Sequence, residues 1–112
     1  MSFDLNLYRK NSKHSFKQIE VKPILDKKFP GNFVGLVDGQ VQKFTINQNS
    51  EHQTTFEFQP EYGCYRTSLE FGTSEAVKDH FINTVRRVAV ALEMKIRDPQ
   101  ADNTLIEPTD FL

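Results

Sequence analysis

Four side chains in this sequence could serve as soft metal ligands or nucleophiles: His14, His52, His80 and Cys64. Metal sites draw such groups together at short spacings. None of the three histidines stands four positions from another histidine or a carboxylate. His14 and His52 fall in polar loops, and His80 sits beside Phe81 on a helical stretch, where it reads as a boundary residue. Cys64 follows Gly63 at the start of a strand. A nucleophilic cysteine needs a paired base and an activated thiolate, and nothing in its neighbourhood supplies one. The carboxylates Glu57, Glu61 and Glu70 alternate with Arg66 along a hairpin. Such groups do acid–base work only where their surroundings split their pKa values. On a half-exposed sheet the same alternation makes a solvated face or a recognition surface.

The elements that position these residues are legible from periodicity. Within Ser74–Met94, Val77, Phe81, Val85, Val88 and Leu92 recur at helical spacing, and Ile82 and Ala89 widen the stripe. Lys78, Asp79, Asn83, Arg86 and Arg87 occupy the other side. Ser74 offers an N-cap, and Glu75 suits the positive end of the helix dipole. This helix cannot hold itself together and needs a sheet to cover. Phe3, Leu5 and Leu7 alternate as a short first strand. Residues 33–37 and 40–46, joined by Asp38-Gly39, form a hairpin, because a type I′ turn needs positive φ at both central residues. Residues 54–59 and 64–71 form a second, with Pro60-Glu-Tyr-Gly63 as its turn. Its Phe56/Phe58 and Leu69/Phe71 faces are expected to meet the helix. The segment 16–21 is ambiguous between strand and helix. Residues 22–29 read as a short helix with Pro23 in its first turn. Lys95–Arg97 reads as a short strand or extended exit, and Leu105-Ile106 as a brief pairing.

The expected architecture is therefore α+β over one domain, residues 1–112. An antiparallel sheet of about five strands, two hairpins plus the N-terminal strand, packs on one long C-terminal helix, with a short helix near residues 22–29.

The 112 residues carry ten Phe, no Trp, 26% charged side chains and a net charge of −1. This is globular composition. A single cysteine argues for no oxidising compartment. No signal-peptide pattern opens the chain, and no apolar run reaches the ~20 residues a spanning helix needs. Cytoplasm is the default. The five glycines fall singly, so no phosphate-binding loop is expected, and the basic-Gly-aromatic signature of RNA recognition is missing. No cofactor, metal, membrane or direct nucleic-acid partner is expected. Charge is unevenly spread. Residues 9–28 hold seven Lys or Arg against Glu20 and Asp26, whereas residues 98–112 hold Asp98, Asp102, Glu107 and Asp110 and no base. The two segments could attract each other, or one could dock a partner.

The opening Met-Ser-Phe-Asp-Leu-Asn-Leu-Tyr-Arg-Lys and the late Ala91-Leu-Glu-Met-Lys-Ile-Arg-Asp-Pro-Gln100 resemble small bacterial proteins grouped with toxin-system immunity proteins, including those of contact-dependent inhibition. The resemblance covers about 20 residues and carries no functional residue across. It implies a non-catalytic protein that neutralises a toxin domain, such as a nuclease, by direct binding. Candidate partner-binding residues are then the acidic tail, Asp98, Asp102, Glu107 and Asp110, and the hairpin tip, Glu61 and Tyr62, where an exposed aromatic stands beside a carboxylate. Two other readings compete. One is a small enzyme or ligand-binding domain with Tyr65, Arg66 or His80 lining a site between sheet and helix. The other is a homo-oligomer built on an open sheet edge.

Overall fold

Successive side chains of an extended chain point to opposite faces, so Phe3, Leu5 and Leu7 turn together to one side of the first strand. That rule, repeated along the chain, builds the sheet. The computed structural model describes residues 2–70, 72–100 and 105–106. In chain order the elements are β1 (Ser2–Arg9), α1 (Gln18–Lys28), β2 (Phe33–Val37), β3 (Gln40–Ile46), β4 (Thr54–Gln59), β5 (Cys64–Glu70), α2 (Glu75–Ala91), β6 (Met94–Arg97) and β7 (Leu105–Ile106). The strands form one sheet in the order β2-β3-β4-β5-β1-β6-β7, with every pairing antiparallel.

Leu5, Leu7, Phe44, Phe56, Tyr65 and Ile96 share one face of this sheet. They form a single buried cluster with Val21 and Leu25 of α1 and with Phe81, Val85, Val88 and Ala89 of α2. Both helices therefore cover the same face, and among the described residues the opposite face carries no helix. The α+β architecture matches the sequence reading, but the sheet is wider than five strands. Met94–Arg97 is a full strand on β1, and the two-residue β7 pairs beyond it. Among the described residues no helix is long and apolar enough to cross a membrane.

Other departures have local causes. α1 starts at Gln18, not near residue 22, so Pro23 lies in the helix interior rather than its first turn. The start is set by Glu20, whose carboxylate accepts the Lys17 N–H at 2.7 Å and pairs with Arg9 at 3.2 Å. Pro23 removes one helical hydrogen bond, on the side where Ile19 is exposed. α2 ends at Ala91, not Met94. Glu93 takes φ +54°, turning the chain so that Met94 enters β6. Ser74 does cap α2, accepting the Val77 N–H at 3.3 Å. The Asp38-Gly39 turn has φ of 52° and 77°, as a type I′ hairpin requires. A bulge at Gln42 shifts the β2–β3 register, because Gly35 faces Lys43 while Leu36 faces Val41. It turns Val41, instead of Gln42, onto the core side with Phe44 and Ile46. Phe56 is buried and Phe58 and Leu69 pack against the cluster; Phe71 lies outside the described residues.

One side chain closes a gap in this sheet. β3 pairs with β4 only as far as Lys43–Glu57. Beyond that point residues 16–18 run beside the start of β3, with Val41 N–H donating to the Phe16 carbonyl at 2.7 Å and Gln18 N–H to the Gly39 carbonyl at 3.1 Å. Tyr65, fully buried on β5, bridges the junction. Its hydroxyl donates to the Val41 carbonyl at 2.7 Å and accepts the Phe16 N–H at 2.8 Å. Its ring stacks on Phe16 at 5.7 Å.

Replacing Tyr65 by Phe leaves a buried donor and a buried acceptor without partners, so Tyr65→Phe is expected to destabilise the fold by about 2–4 kcal/mol. Burial pushes the Tyr65 hydroxyl up to about 12, whereas an unfolded tyrosine ionises near pH ~10. The unfolded chain thus releases this proton first. The Tyr65 contribution is complete below pH ~10 and is lost as pH rises towards the folded value. Urea melts of wild type and Tyr65→Phe should give a stability gap that narrows across that window; a gap independent of pH there contradicts the assignment.

Candidate partner-binding surface

The face away from the helices is polar by the same alternation that makes the other face apolar. Across it runs a row set by register alone. Lys43 opposes Glu57, Glu57 opposes Arg66, Arg66 opposes Asn6, and Asn6 opposes Arg97. Glu57 and Arg66 are therefore cross-strand neighbours of opposite charge, while Glu70 lies at the far end of β5 and Glu61 in the turn. Asn6 is almost fully buried beneath the long side chains beside it. Its Oδ1 accepts from Arg66 Nε at 2.9 Å. Two residues along the same strand pair, the Ser68 hydroxyl donates to Asp4 Oδ1 at 2.6 Å.

Two tyrosines stand at one end of this face, each under an arginine. The Arg97 guanidinium lies 4.8 Å from the Tyr8 ring centroid, and that of Arg66 lies 5.7 Å from Tyr62. Such stacking holds the aromatic in place and keeps the cation available at its edge. Arg97 Nε is buried and has no hydrogen-bond partner among the described residues. Beneath, Tyr8 and Cys64 lie together, and burial, the first cause in each case, pushes both groups up. Cys64 is thus a neutral buried thiol, the reverse of an activated nucleophile.

Tyr62 is 56% exposed. It stands in the β4–β5 turn, which is closed by Tyr62 and Gly63 N–H groups donating to the Gln59 carbonyl at 3.1 and 2.9 Å. Gly63 has φ +63°, and a Cβ there would lie 2.8 Å from Lys13 Cβ and 2.9 Å from the Lys13 carbonyl. Only glycine lets this turn touch the β1–α1 loop. The contact encloses a depression of about 700 Å³ lined by Tyr8, Arg9, Lys10, Lys13, Tyr62 and Arg97, among others. Four of those side chains are cationic, and among the described residues no carboxylate lines the depression. Arg9 is committed elsewhere, to Glu20, to the carbonyls of His14 and Ser15 and to the Phe16 ring, so it anchors the wall.

Of the six residues singled out in the sequence, Glu61 and Tyr62 are exposed at the hairpin tip. Asp98 is half-buried, and its Oδ1 accepts the Gln100 N–H at 2.9 Å, closing the turn after β6. Asp102, Glu107 and Asp110 lie outside the described residues. Tyr65, Arg66 and His80 do not converge: Tyr65 is in the core, Arg66 on the open face, and His80 against the β3–β4 loop. There the structure pairs residues the sequence kept apart. The His52 and His80 rings lie 4.1 Å between centroids, with Asn47 Nδ2 3.4 Å from His80 Nε2. Among the described residues no group of three or more His, Cys, Asp or Glu is placed to hold a metal ion. Sequence reasoning missed Tyr8, Lys13 and Arg97. The excess of base in residues 9–28 was the available signal for Lys13; Tyr8 and Arg97 are joined only by the β1–β6 register.

Gly63→Ala is expected to cost about 1–3 kcal/mol through its positive φ and the forced contact, and to move Tyr62 away from Lys13. Thermal melts and the chemical shifts of Lys13 and Tyr62 check this; an unchanged melt with unchanged shifts contradicts it. No protein-family model, curated protein or solved structure matches the chain.

Proposed function

We propose that this is a non-catalytic partner-binding protein of the immunity type, neutralising a bacterial toxin domain by direct contact. The observation that carries the reading is Tyr62, an exposed aromatic held by Arg66 at the rim of a depression lined by cations. Buried tyrosines and arginines dominate the energetics of protein interfaces. A cationic wall speeds encounter with an oppositely charged surface. The toxin surface that docks here is therefore acidic, with Tyr62 entering it as the anchor and Lys13 and Arg97 flanking. The acidic residues of 98–112 would be the docking surface for a toxin that is a basic nuclease. The geometry around Tyr62 favours the opposite polarity at the contact. The toxin assignment itself draws on the resemblance at the two chain ends. A rigid, preformed turn suits such a role, because little ordering entropy opposes binding.

Affinity capture with the tagged chain, against the product of the adjacent gene, tests the proposal. One stoichiometric partner with a toxin-like domain is expected, bound less tightly at higher salt. Tyr62→Ala should weaken binding by roughly 30-fold or more, the scale of an aromatic hot spot of about 2 kcal/mol. Failure to bind that product, or binding indifferent to Tyr62 and to salt, overturns it.

A further inference from the structure

The second surface of note is the sheet edge at β2. Among the described residues this strand pairs on one side only, with β3. Its sequence, Phe33-Val-Gly-Leu-Val37, contains no polar side chain. Phe33, Leu36 and Val37 are 43%, 40% and 58% exposed. Natural edge strands are guarded against pairing by charged side chains, proline or an inward-facing charge, and β2 has none of these within it. The strand is also near-palindromic about Gly35. In an antiparallel pairing on a two-fold axis through Gly35, Phe33 faces Val37, Val34 faces Leu36, and Gly35 faces its own copy. The flanking residues are Asn32 and Asp38, which face each other in the same register, so no like charges meet. Phe33 and Gly35 oppose Thr45 and Lys43 on the open face, and Val34 opposes Phe44 on the core face. Each apolar side chain of β2 thus meets an apolar partner on its own side. Ile19, 81% exposed, stands beside the Asp38-Gly39 turn, where Gln18 N–H donates to the Gly39 carbonyl.

From this self-complementarity we infer that the β2 edge is a homodimer interface, joining two copies of the chain through antiparallel β2–β2 pairing into one continuous sheet. A closed two-fold contact satisfies the strand's free backbone groups and removes the exposed edge. The Tyr62 surface lies on the far side of β4 and stays open in both copies.

Light scattering and sedimentation of the full chain test the inference. The expected mass is twice the 13.0 kDa of the chain. Gly35 accommodates a side chain, since a Cβ there meets only ordinary contacts at 3.7 Å. Gly35→Glu should therefore fold, place two carboxylates at the axis and weaken association by roughly 100-fold or more. Gly35→Cys should form a disulfide-linked dimer on oxidation, since residues facing each other across an antiparallel pair lie within disulfide reach. Val90→Glu, at an exposed apolar position on α2, should leave the dimer intact. A monomeric wild-type mass at the highest soluble concentration, or a folded Gly35→Glu variant that stays dimeric, overturns the proposal.

Discussion

The Tyr65 hydroxyl is the point on which the arrangement depends. The β3–β4 ladder stops at Lys43–Glu57, and the chain after β1 must pass through the space beyond. A buried backbone group without a partner costs as much as a lost hydrogen bond. Tyr65 answers for two of them at once, the Val41 carbonyl and the Phe16 N–H. Its ring simultaneously fills the core between Phe16, Phe44 and Phe58. Fixing Phe16 fixes the entry to α1, because Lys17 N–H is already committed to Glu20, and Glu20 to Arg9. The loop carrying Lys13 is thus tied at both ends.

This tie links core to surface. Tyr65 faces inward on β5, while its neighbours Cys64 and Arg66 face outward, against Tyr8 and Asn6. A displacement of β5 would move both sets together. The Gly63 turn, one residue earlier, presses on Lys13 from the other side. The depression beside Tyr62 is therefore held by rigid strands and by a loop whose backbone is bonded into the sheet, the kind of scaffold that positions a binding surface without a large ordering cost. Its chemistry is cationic and aromatic, with Arg97 and Arg66 each lying over a tyrosine.

Much of this was readable in the chain. The helical stripe from Phe81 to Leu92, both hairpins, the Ser74 cap and the Asp38-Gly39 turn follow from period and turn chemistry, which are local. The departures arise where a distant contact overrides a local signal. Pro23 is normally a mark of a helix start, yet the Glu20–Lys17 and Glu20–Arg9 contacts begin α1 five residues earlier. Glu93 adopts a left-handed conformation usual for glycine, so the end of α2 and the start of β6 merged into one apparent helix. The bulge at Gln42 reverses the facing of Val41, which strict alternation would put on the open side. The candidate surface was legible only at Tyr62, whose exposed aromatic character in a Pro-Gly turn is a local feature. Tyr8 and Arg97 come together through the β1–β6 pairing, and His52 with His80 through the packing of α2 on a loop. Neither pairing leaves a trace in spacing along the chain.

The central claim is that Tyr65 holds the β1–α1 loop against the sheet and so preforms the surface. Residue-resolved amide hydrogen exchange tests it most directly. In the wild type, the Phe16 amide should exchange as slowly as the amides of β1, through global unfolding. In Tyr65→Phe, Phe16 and the neighbouring amides should exchange through a local opening, far faster than those of β1, whose protection falls only by the loss in overall stability. Rapid exchange at Phe16 in the wild type, or an equal loss of protection in the loop and in β1, would contradict the account.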